Sequence, residues 1–160
     1  MKILKKILVL LPEQIAYAHC DIPCGIYDPH MAQVAAHTVI RMTQLLTDLK
    51  SDDQKKMTHD ISRMTHVKEE HAGIIEEELE TLRNDYFKEE HYAQYSNLGD
   101  LFTKTLKSVS KARQNIDMVS AEEVLSGVLQ IAEIFYKTKG VEPVRVKSVF
   151  PTEREIVTYK

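Results

Sequence analysis

The stretch DPHMAQVAAHTVIRMTQLLTDLK, residues 28–50, determines how the chain begins to fold. Asp28 precedes Pro29, and a capping side chain ahead of a proline at the first helical position is a strong helix start. Apolar residues then recur at the spacing of one helix face. They are Met31, Val34, Ala35, Thr38, Met42, Leu45, Leu46 and Leu49. The pattern predicts a first helix over residues 29–50.

Two more helices are predicted from capping residues and apolar stripes. The sequence KSDDQ, residues 50–54, indicates a turn with capping side chains, and the second helix then extends to about Arg83. A polar and aromatic connection, residues 84–97, leads to a third helix over roughly residues 98–114. The inward-facing residues are expected to be Met57, Ile61, Met64, Ile75, Leu79, Leu82, Leu98, Leu101, Phe102, Thr105, Leu106 and Val109.

A fourth helix is predicted to open with Ser120 and Glu123 as a capping box and to close at Gly140. Its inward residues are Val124, Val128, Ile131 and Phe135. Four amphipathic helices with short polar connections predict an all-α fold, an antiparallel up-down four-helix bundle over residues 29–140. The tail, residues 141–160, contains two prolines that forbid a continuing helix, and an extended arm and disorder both remain open for it.

The composition argues against several classes of partner. The 160 residues can bury a core without disulfides or metal as scaffolding. The formal net charge is −3, and the basic residues are scattered among acids, so we expect no nucleic-acid partner. No apolar run approaches the roughly 18 residues of a membrane span, so we expect no membrane association.

The first 18 residues, MKILKKILVLLPEQIAYA, have some features of a secretion signal. Lysines precede an apolar run, and Ala16 and Ala18 give the small-x-small form of a cleavage site. The apolar run covers only residues 7–11, shorter than the roughly 7 to 15 residues of a signal core. We interpret residues 1–18 as a removable prosegment and expect a cytoplasmic protein, with export as the alternative.

Cleavage before His19 would gather several metal donors at the new N-terminus. The chain would then begin His19-Cys20, with a primary amine, an imidazole and a thiolate, and Cys24 would add a second thiolate once Pro23 turns the chain. An amine, a deprotonated amide and two thiolates in one plane suit square-planar Ni(II) or Cu(II), whereas zinc prefers a tetrahedron. A disulfide between the cysteines, or two thiols without a role, remains open from the spacing alone.

The segment HCDIPCGIYDP, residues 19–29, resembles the N-terminal nickel hook of the nickel-containing superoxide dismutases. It meets the family pattern H-C-D-x-P-C-G-x-Y-D-P at every fixed position. The resemblance extends with gaps through DYFK, residues 85–88, and IAEIFYKTK, residues 131–139, and leaves the tail uncovered. It divides the chain into a prosegment (1–18), a nickel hook (19–28), the bundle (29–140) and the tail (141–160).

The resemblance implies a site and a reaction. His19 would supply its amine and an axial imidazole, Cys20 an amidate and a thiolate, and Cys24 a thiolate to the nickel ion. Pro23 would be the cis residue of the hook, and Tyr27 and Tyr86 would line the approach of the substrate. The reaction would convert superoxide to O2 and hydrogen peroxide by Ni(III)/Ni(II) cycling.

The resemblance also implies maturation and assembly. A dedicated peptidase would cleave before His19, and the subunits would form a homohexamer. The sequence departs from the better-known branch of the family at two positions, because Ala35 and His71 replace a glutamate and an arginine that orient the axial imidazole. A nickel-binding protein with little or no dismutase activity is therefore the alternative function, and a helical interaction module with a Cys20–Cys24 disulfide is a third.

Overall fold

The computed structural model describes residues 24–160, which fold mainly into α-helices. Within these residues, five α-helices and one π-helical turn precede an antiparallel pair of strands. The elements are α1 His30–Asp48, α2 Gln54–Thr81, the π-helical turn Leu82–Tyr86, α3 Glu89–Gln94, α4 Leu98–Gln114, α5 Met118–Thr138, β1 Pro143–Lys147 and β2 Glu155–Tyr159. No helix of this part of the chain is long and apolar enough to cross a membrane.

Side-chain caps begin the helices close to where the sequence predicts. The Asp28 carboxylate accepts a hydrogen bond from the backbone N–H of His30 at 2.7 Å. The N-cap residue is Pro29, so the helix begins at His30, one residue later than the Asp-Pro pair predicts. At the start of α2, Asp53 accepts from the N–H groups of Lys55 and Lys56. Helix α4 has the predicted bounds.

The prediction was wrong at the start of α5. Ser120 and Glu123 do not form a capping box there, because the N-cap residue is Asp117. Its carboxylate accepts from the N–H groups of Val119 and Ser120, and also from the Ser120 hydroxyl. An aspartate three residues upstream therefore takes the role assigned to the serine, and the helix begins at Met118.

The long helices α1, α2, α4 and α5 each contact two of the others. Helix α1 packs against α2 and α5, and α4 packs against the same two helices. Helices α4 and α5 approach closely at Gly127, where the Cβ of any larger residue would collide with the Thr105 side chain. The predicted inward residues of α5 are all buried. The core they share includes Ala32, Val39, Ile40, Ile75, Leu79, Phe102, Val109, Val124, Ile131 and Phe135.

The predicted inward face of α1 was wrong in part. Met31 is 52% exposed, and Val34 and Thr38 are only partly buried. The buried apolar face contains the predicted Ala35 and Leu46 together with Ala32, Ala36, Val39 and Ile40, which were not predicted. Two polar residues, Gln33 and His37, are buried as well. The shift arises because a second layer, the C-terminal strand pair, covers a side of α1 that the apolar pattern does not mark.

The C-terminal residues form a β-hairpin, so the chain is not all-α. Strand β1 pairs antiparallel with β2, with Val144 opposite Thr158 and Val146 opposite Ile156. Of the two alternatives open for residues 141–160, the structure shows neither disorder nor a single extended arm. The segment of β1 with alternating valines pairs with the EIVTY segment of β2. This pairing satisfies backbone N–H and carbonyl groups that a single strand would leave without partners.

Buried polar contacts attach the hairpin to helix α1. The Gln33 side chain donates to the Val157 carbonyl at 3.1 Å and accepts from the Val157 N–H at 2.6 Å. His37 Nε2 lies 3.1 Å from the Glu155 carbonyl oxygen, so this nitrogen carries the proton and donates. His37 Nδ1 therefore accepts from the Thr152 hydroxyl at 2.6 Å. The hairpin is thus fixed to α1 by hydrogen bonds that give every polar side-chain atom of Gln33 and His37 a partner.

Two ion pairs attach the hairpin to helix α5. The Arg154 guanidinium donates twice to Glu122, at 3.0 and 2.6 Å, and Arg145 donates to Glu133 at 2.6 Å. All four side chains are partly solvated, so these pairs add less stability than the buried contacts do. They fix the orientation of the hairpin across α5.

A buried lysine closes the end of helix α4. Lys68 of α2 is 2% exposed, and its ammonium donates to the carbonyl oxygens of Ala112, Arg113 and Asn115. These carbonyls lie at the C-terminus of α4, where the helix has unsatisfied acceptors and the negative end of its dipole. One side chain therefore satisfies three acceptors and joins α2 to α4.

We expect Lys68→Met to lower the free energy of unfolding by about 2–3 kcal/mol, because the carbonyls lose their charged donor while the aliphatic volume is nearly kept. Lys55→Met, in the exposed first turn of the same helix, is the matched control and should change stability by less than about 0.5 kcal/mol. Urea denaturation followed by circular dichroism measures both. Equal effects of the two substitutions would contradict the capping role of Lys68.

The dependence of stability on pH should reveal His37. Burial lowers the pKa of His37 below its ordinary value of 6.5, so the unfolded chain binds the proton more readily than the folded protein. The stabilising contribution of the neutral ring is complete above pH 6.5 and is lost as the pH falls toward the lower pKa of the folded state. Between pH 6.5 and about pH 5, the free energy of unfolding should therefore fall more steeply in wild type than in His37→Gln. Parallel pH profiles from urea denaturation would refute this assignment.

Candidate metal centre

Three of the five predicted site residues belong to the part of the chain that the structure describes. Cys24, Tyr27 and Tyr86 lie within it. His19 and Cys20 lie outside the described residues, as do the predicted turn at Pro23 and the prosegment. Within residues 24–160, no group of three or more His, Cys, Asp or Glu side chains could hold a metal ion.

Cys24 begins the approach segment, residues 24–29, which leads into helix α1. Its side chain is exposed, and the backbone N–H of Ile26 points at its sulfur at 3.5 Å. Donation to sulfur favours the thiolate, the form in which cysteine binds metals. Gly25 has φ +72°, a left-handed conformation that a residue with a Cβ rarely adopts. The turn required for this N–H to reach the sulfur thus depends on the glycine of the Cys-Gly pair.

Asp28 anchors the approach segment at the entrance to α1. Its carboxylate accepts from the His30 N–H, and the Tyr136 side chain of α5 lies close enough to feel its negative charge. Burial, the negative charge of Asp28 and the neighbouring Tyr159 raise the pKa of Tyr136 to about 12. The phenol therefore keeps its proton at neutral pH and faces Asp28 as a neutral group. A backbone N–H bonded to the carboxylate and a protonated phenol beside it thus surround Asp28, four residues after Cys24.

Tyr27 and Tyr86 are brought together although 59 positions separate them. Their ring centroids lie 5.4 Å apart with planes tilted by 52°, and both residues are partly buried. Tyr86 also packs against Phe135 of α5 at 4.7 Å and stacks on His91 of α3 at 5.6 Å. The π-helical turn that ends at Tyr86 places this ring between the approach segment and α5. The structure therefore places Tyr86 side by side with Tyr27, which follows Cys24 by three residues in the sequence.

The hydroxyl proton of Tyr86 has a defined direction. Thr138 Oγ1 donates its single proton to the Phe135 carbonyl at 2.7 Å. The contact of 2.7 Å between Tyr86 Oη and Thr138 Oγ1 must therefore use the tyrosine proton. Tyr86 is held at its ring and at its hydroxyl, so its position does not depend on a ligand.

Positive charge lies next to this pair of tyrosines. The Lys139 ammonium lies 4.7 Å from the centroid of the Tyr86 ring, a cation–π arrangement. The Lys88 ammonium donates to the Asp85 carbonyl at 2.7 Å. This hydrogen bond ties a second positive charge to the residue that precedes Tyr86 in the sequence. Sequence reasoning did not single out Thr138 or Lys139. The signal was present, because both follow Phe135 at the three- and four-residue spacing that shares a helix face.

The two residues that depart from the family pattern have different environments. Ala35 is 2% exposed in the core, and its methyl group can form no hydrogen bond. His71 is partly buried, and its Nδ1 donates to the Val67 carbonyl of its own helix at 2.9 Å. The ring of His71 therefore carries its proton on Nδ1 and leaves Nε2 as an acceptor.

The donors at this end of the chain fit a nickel ion. Cys24 has the exposure and the N–H donor expected of a metal-binding thiolate, and the sequence places a second cysteine and a histidine within five residues of it. Thiolate donors with amine and amide nitrogens suit square-planar Ni(II). The predicted donor set is that of a thiolate-rich metal centre on a helical protein.

The comparisons with known proteins point to one family. The profile of the nickel-containing superoxide dismutases matches residues 14–139. The superoxide dismutases [Ni] of Streptomyces coelicolor and Streptomyces seoulensis are each 34% identical over 128 residues, which are 80% of this chain and 93% of each relative. A solved structure of native nickel superoxide dismutase superimposes with a TM-score of 0.67 at 35% identity, over 76% of this chain and 99% of that chain.

The chain belongs to the nickel-containing superoxide dismutase family. This membership confirms the predicted activity, a superoxide dismutase of the nickel type among the oxidoreductases, and the predicted nickel cofactor. A nickel-binding protein without turnover is not favoured. The family match ends at Lys139, and the C-terminal hairpin lies beyond it.

The hydrogen bond between Tyr86 and Thr138 can be tested by a double-mutant cycle. We expect Tyr86→Phe and Thr138→Val to show a coupling of about 1 kcal/mol in the free energy of unfolding, because either substitution alone already removes the same bond. Tyr92→Phe is the matched control, since the Tyr92 hydroxyl donates to the Arg83 carbonyl and shares no partner with Thr138. The assignment fails if Tyr86→Phe and Thr138→Val are as additive as the control pair.

Proposed function

We propose that His19, Cys20 and Cys24 bind the nickel ion once residues 1–18 have been removed. His19 would contribute its new amine and its imidazole, Cys20 its amide nitrogen and thiolate, and Cys24 its thiolate. When bound, nickel supplies one-electron cycling between Ni(III) and Ni(II), by which one superoxide is oxidised to O2 and another is reduced to hydrogen peroxide. The observation that carries the proposal is the exposed Cys24 sulfur with a backbone N–H directed at it.

Tyr27 and Tyr86 are proposed to limit what approaches the metal. The fixed ring of Tyr86 and its contact with Tyr27 support this role, since a substrate of two atoms needs a narrow approach. Lys139 and Lys88 add positive charge beside the proposed path of the superoxide anion to the metal.

The helical part is proposed to be an antiparallel up-down bundle with the hook at its N-terminal end. Two observations support this arrangement: each long helix contacts two others, and the connection between α1 and α2 is only five residues long. We further propose that the processed subunits assemble as a homohexamer in the cytoplasm and that a dedicated peptidase makes the cut. The five-residue apolar run of the prosegment supports the cytoplasmic assignment.

The processed protein, cleaved before His19, allows the most direct test of the proposed metal ligands. Processed wild type, loaded with nickel, should dismutate superoxide and bind one nickel per chain, as measured by pulse radiolysis and by mass spectrometry under native conditions. Cys20→Ser should lose both properties and keep its helical circular dichroism, because it removes one thiolate and changes no residue of the helices. A processed chain with one extra alanine before His19 is the matched control for the amine, since all side chains remain.

Each outcome separates the alternatives. Full activity in Cys20→Ser, or in a chain that still begins at Met1, would refute the ligand set, because an internal His19 has no primary amine. Stoichiometric nickel without turnover would identify the nickel-binding alternative. A mass two units lower, from a Cys20–Cys24 disulfide without metal, would identify the interaction module.

A further inference from the structure

The C-terminal hairpin lies beyond the residues that the family profile matches, yet it is built into the core. Val157 of β2 is 2% exposed and belongs to the hydrophobic core. Its backbone N–H and its carbonyl oxygen are both hydrogen-bonded to the buried Gln33 side-chain amide. A loose extension would leave such groups in water. The hairpin is therefore a docked element of the fold.

The docking of β2 places the Tyr159 ring close to the end of the approach segment that joins α1. Val157 and Tyr159 lie on the same face of β2, since alternate residues of a strand point the same way. The Tyr159 ring packs against the Tyr136 ring with a centroid separation of 5.0 Å. Anchoring Val157 in the core thus places Tyr159 against Tyr136.

Tyr136 connects this ring to the approach segment. Its protonated hydroxyl lies beside the Asp28 carboxylate, which accepts from the His30 N–H in the first turn of α1. Tyr136 is 6% exposed, so its ring position is set by its neighbours, and Tyr159 covers it on the side of the hairpin. A contiguous path of three side chains therefore runs from the hairpin to the residue four positions after Cys24.

We propose that the C-terminal hairpin is a positioning element for the metal-binding segment, acting through Tyr159, Tyr136 and Asp28. The inference about nickel rests on the function proposed above. By holding Asp28 in one place, the hairpin fixes the point at which residues 24–27 join the helical core. None of these three side chains is a metal ligand.

The positioning can be measured without metal. In the processed, nickel-free protein, amide exchange of His30 followed by NMR reports the hydrogen bond to Asp28. Tyr159→Ala and Tyr136→Phe should each speed exchange at His30 by about threefold to tenfold, because the carboxylate loses the hydroxyl beside it or the support of the ring that carries that hydroxyl. Tyr159→Phe keeps the ring and should match wild type.

Thr158→Ala is the matched control for the hairpin. Thr158 precedes Tyr159, faces the other side of β2 and lies opposite Val144, so its loss should leave His30 unchanged. Exchange of the Val157 amide, bonded to Gln33, shows whether the hairpin is still docked in each variant. If Tyr159→Ala undocks it, Tyr136→Phe decides the question, because this variant keeps every ring contact. Unchanged exchange at His30 in Tyr136→Phe, or an equal increase in Thr158→Ala, would overturn the proposal.

The consequence for the metal is read from the affinity for Ni(II), measured by competition with a chelator, and from the absorption spectrum of the nickel-loaded protein. Tyr136→Phe should bind Ni(II) about threefold to tenfold more weakly than wild type and shift the spectrum, whereas Tyr159→Phe should do neither. Wild-type affinity and spectrum in Tyr136→Phe would refute an effect on the metal. Absence of nickel binding in wild type would instead reject the proposed function, and the exchange data would still decide whether the hairpin positions Asp28.

Discussion

The buried amide of Gln33 joins the two ends of the described chain. A primary amide without partners is costly in a protein interior, and Gln33 satisfies its amide only by pairing with the Val157 backbone 124 residues away. This pairing makes α1 a helix buried on two sides, against the other helices and against the hairpin. His37, one turn further along α1, extends the same contact to Thr152 and Glu155. The docking of the hairpin, the buried surface of α1 and the placement of Tyr159 all follow from it.

The sequence predicts the helices better than it predicts their faces. Capping aspartates and apolar periodicity locate α1, α2 and α4 within two residues, because these signals are local. The buried face of α1 was misplaced in part, since Gln33 and His37 are buried by a hairpin that packs from the far end of the chain. The hairpin itself was not predicted, because two alternating valines carry little information until a partner strand is known. Lys68 escaped notice for the same reason, as its three acceptors lie 44 to 47 residues downstream.

The candidate site also has a part that the sequence predicts and a part that only the structure shows. Cysteines, a histidine and a cleavable bond within eleven residues are a local pattern, and they indicate a metal centre without any structure. The support of that centre is not local. Asp28 contacts Tyr136, and Tyr27 contacts Tyr86, across separations that no spacing rule covers. The sequence therefore predicts the donors, and the structure shows which contacts hold the chain that follows Cys24.

The fixed proton of Tyr86 restricts the chemistry beside the metal centre. Because this phenol already gives its hydrogen to Thr138, its oxygen offers only lone pairs to any molecule that arrives. Water and hydrogen peroxide can bond to it, since each brings a hydrogen of its own. Superoxide brings none, so those lone pairs would repel it. If Tyr86 lines the approach to the metal as proposed, it would discriminate by hydrogen content, retaining the solvent and the protonated product while leaving the bare anion to the neighbouring positive charges.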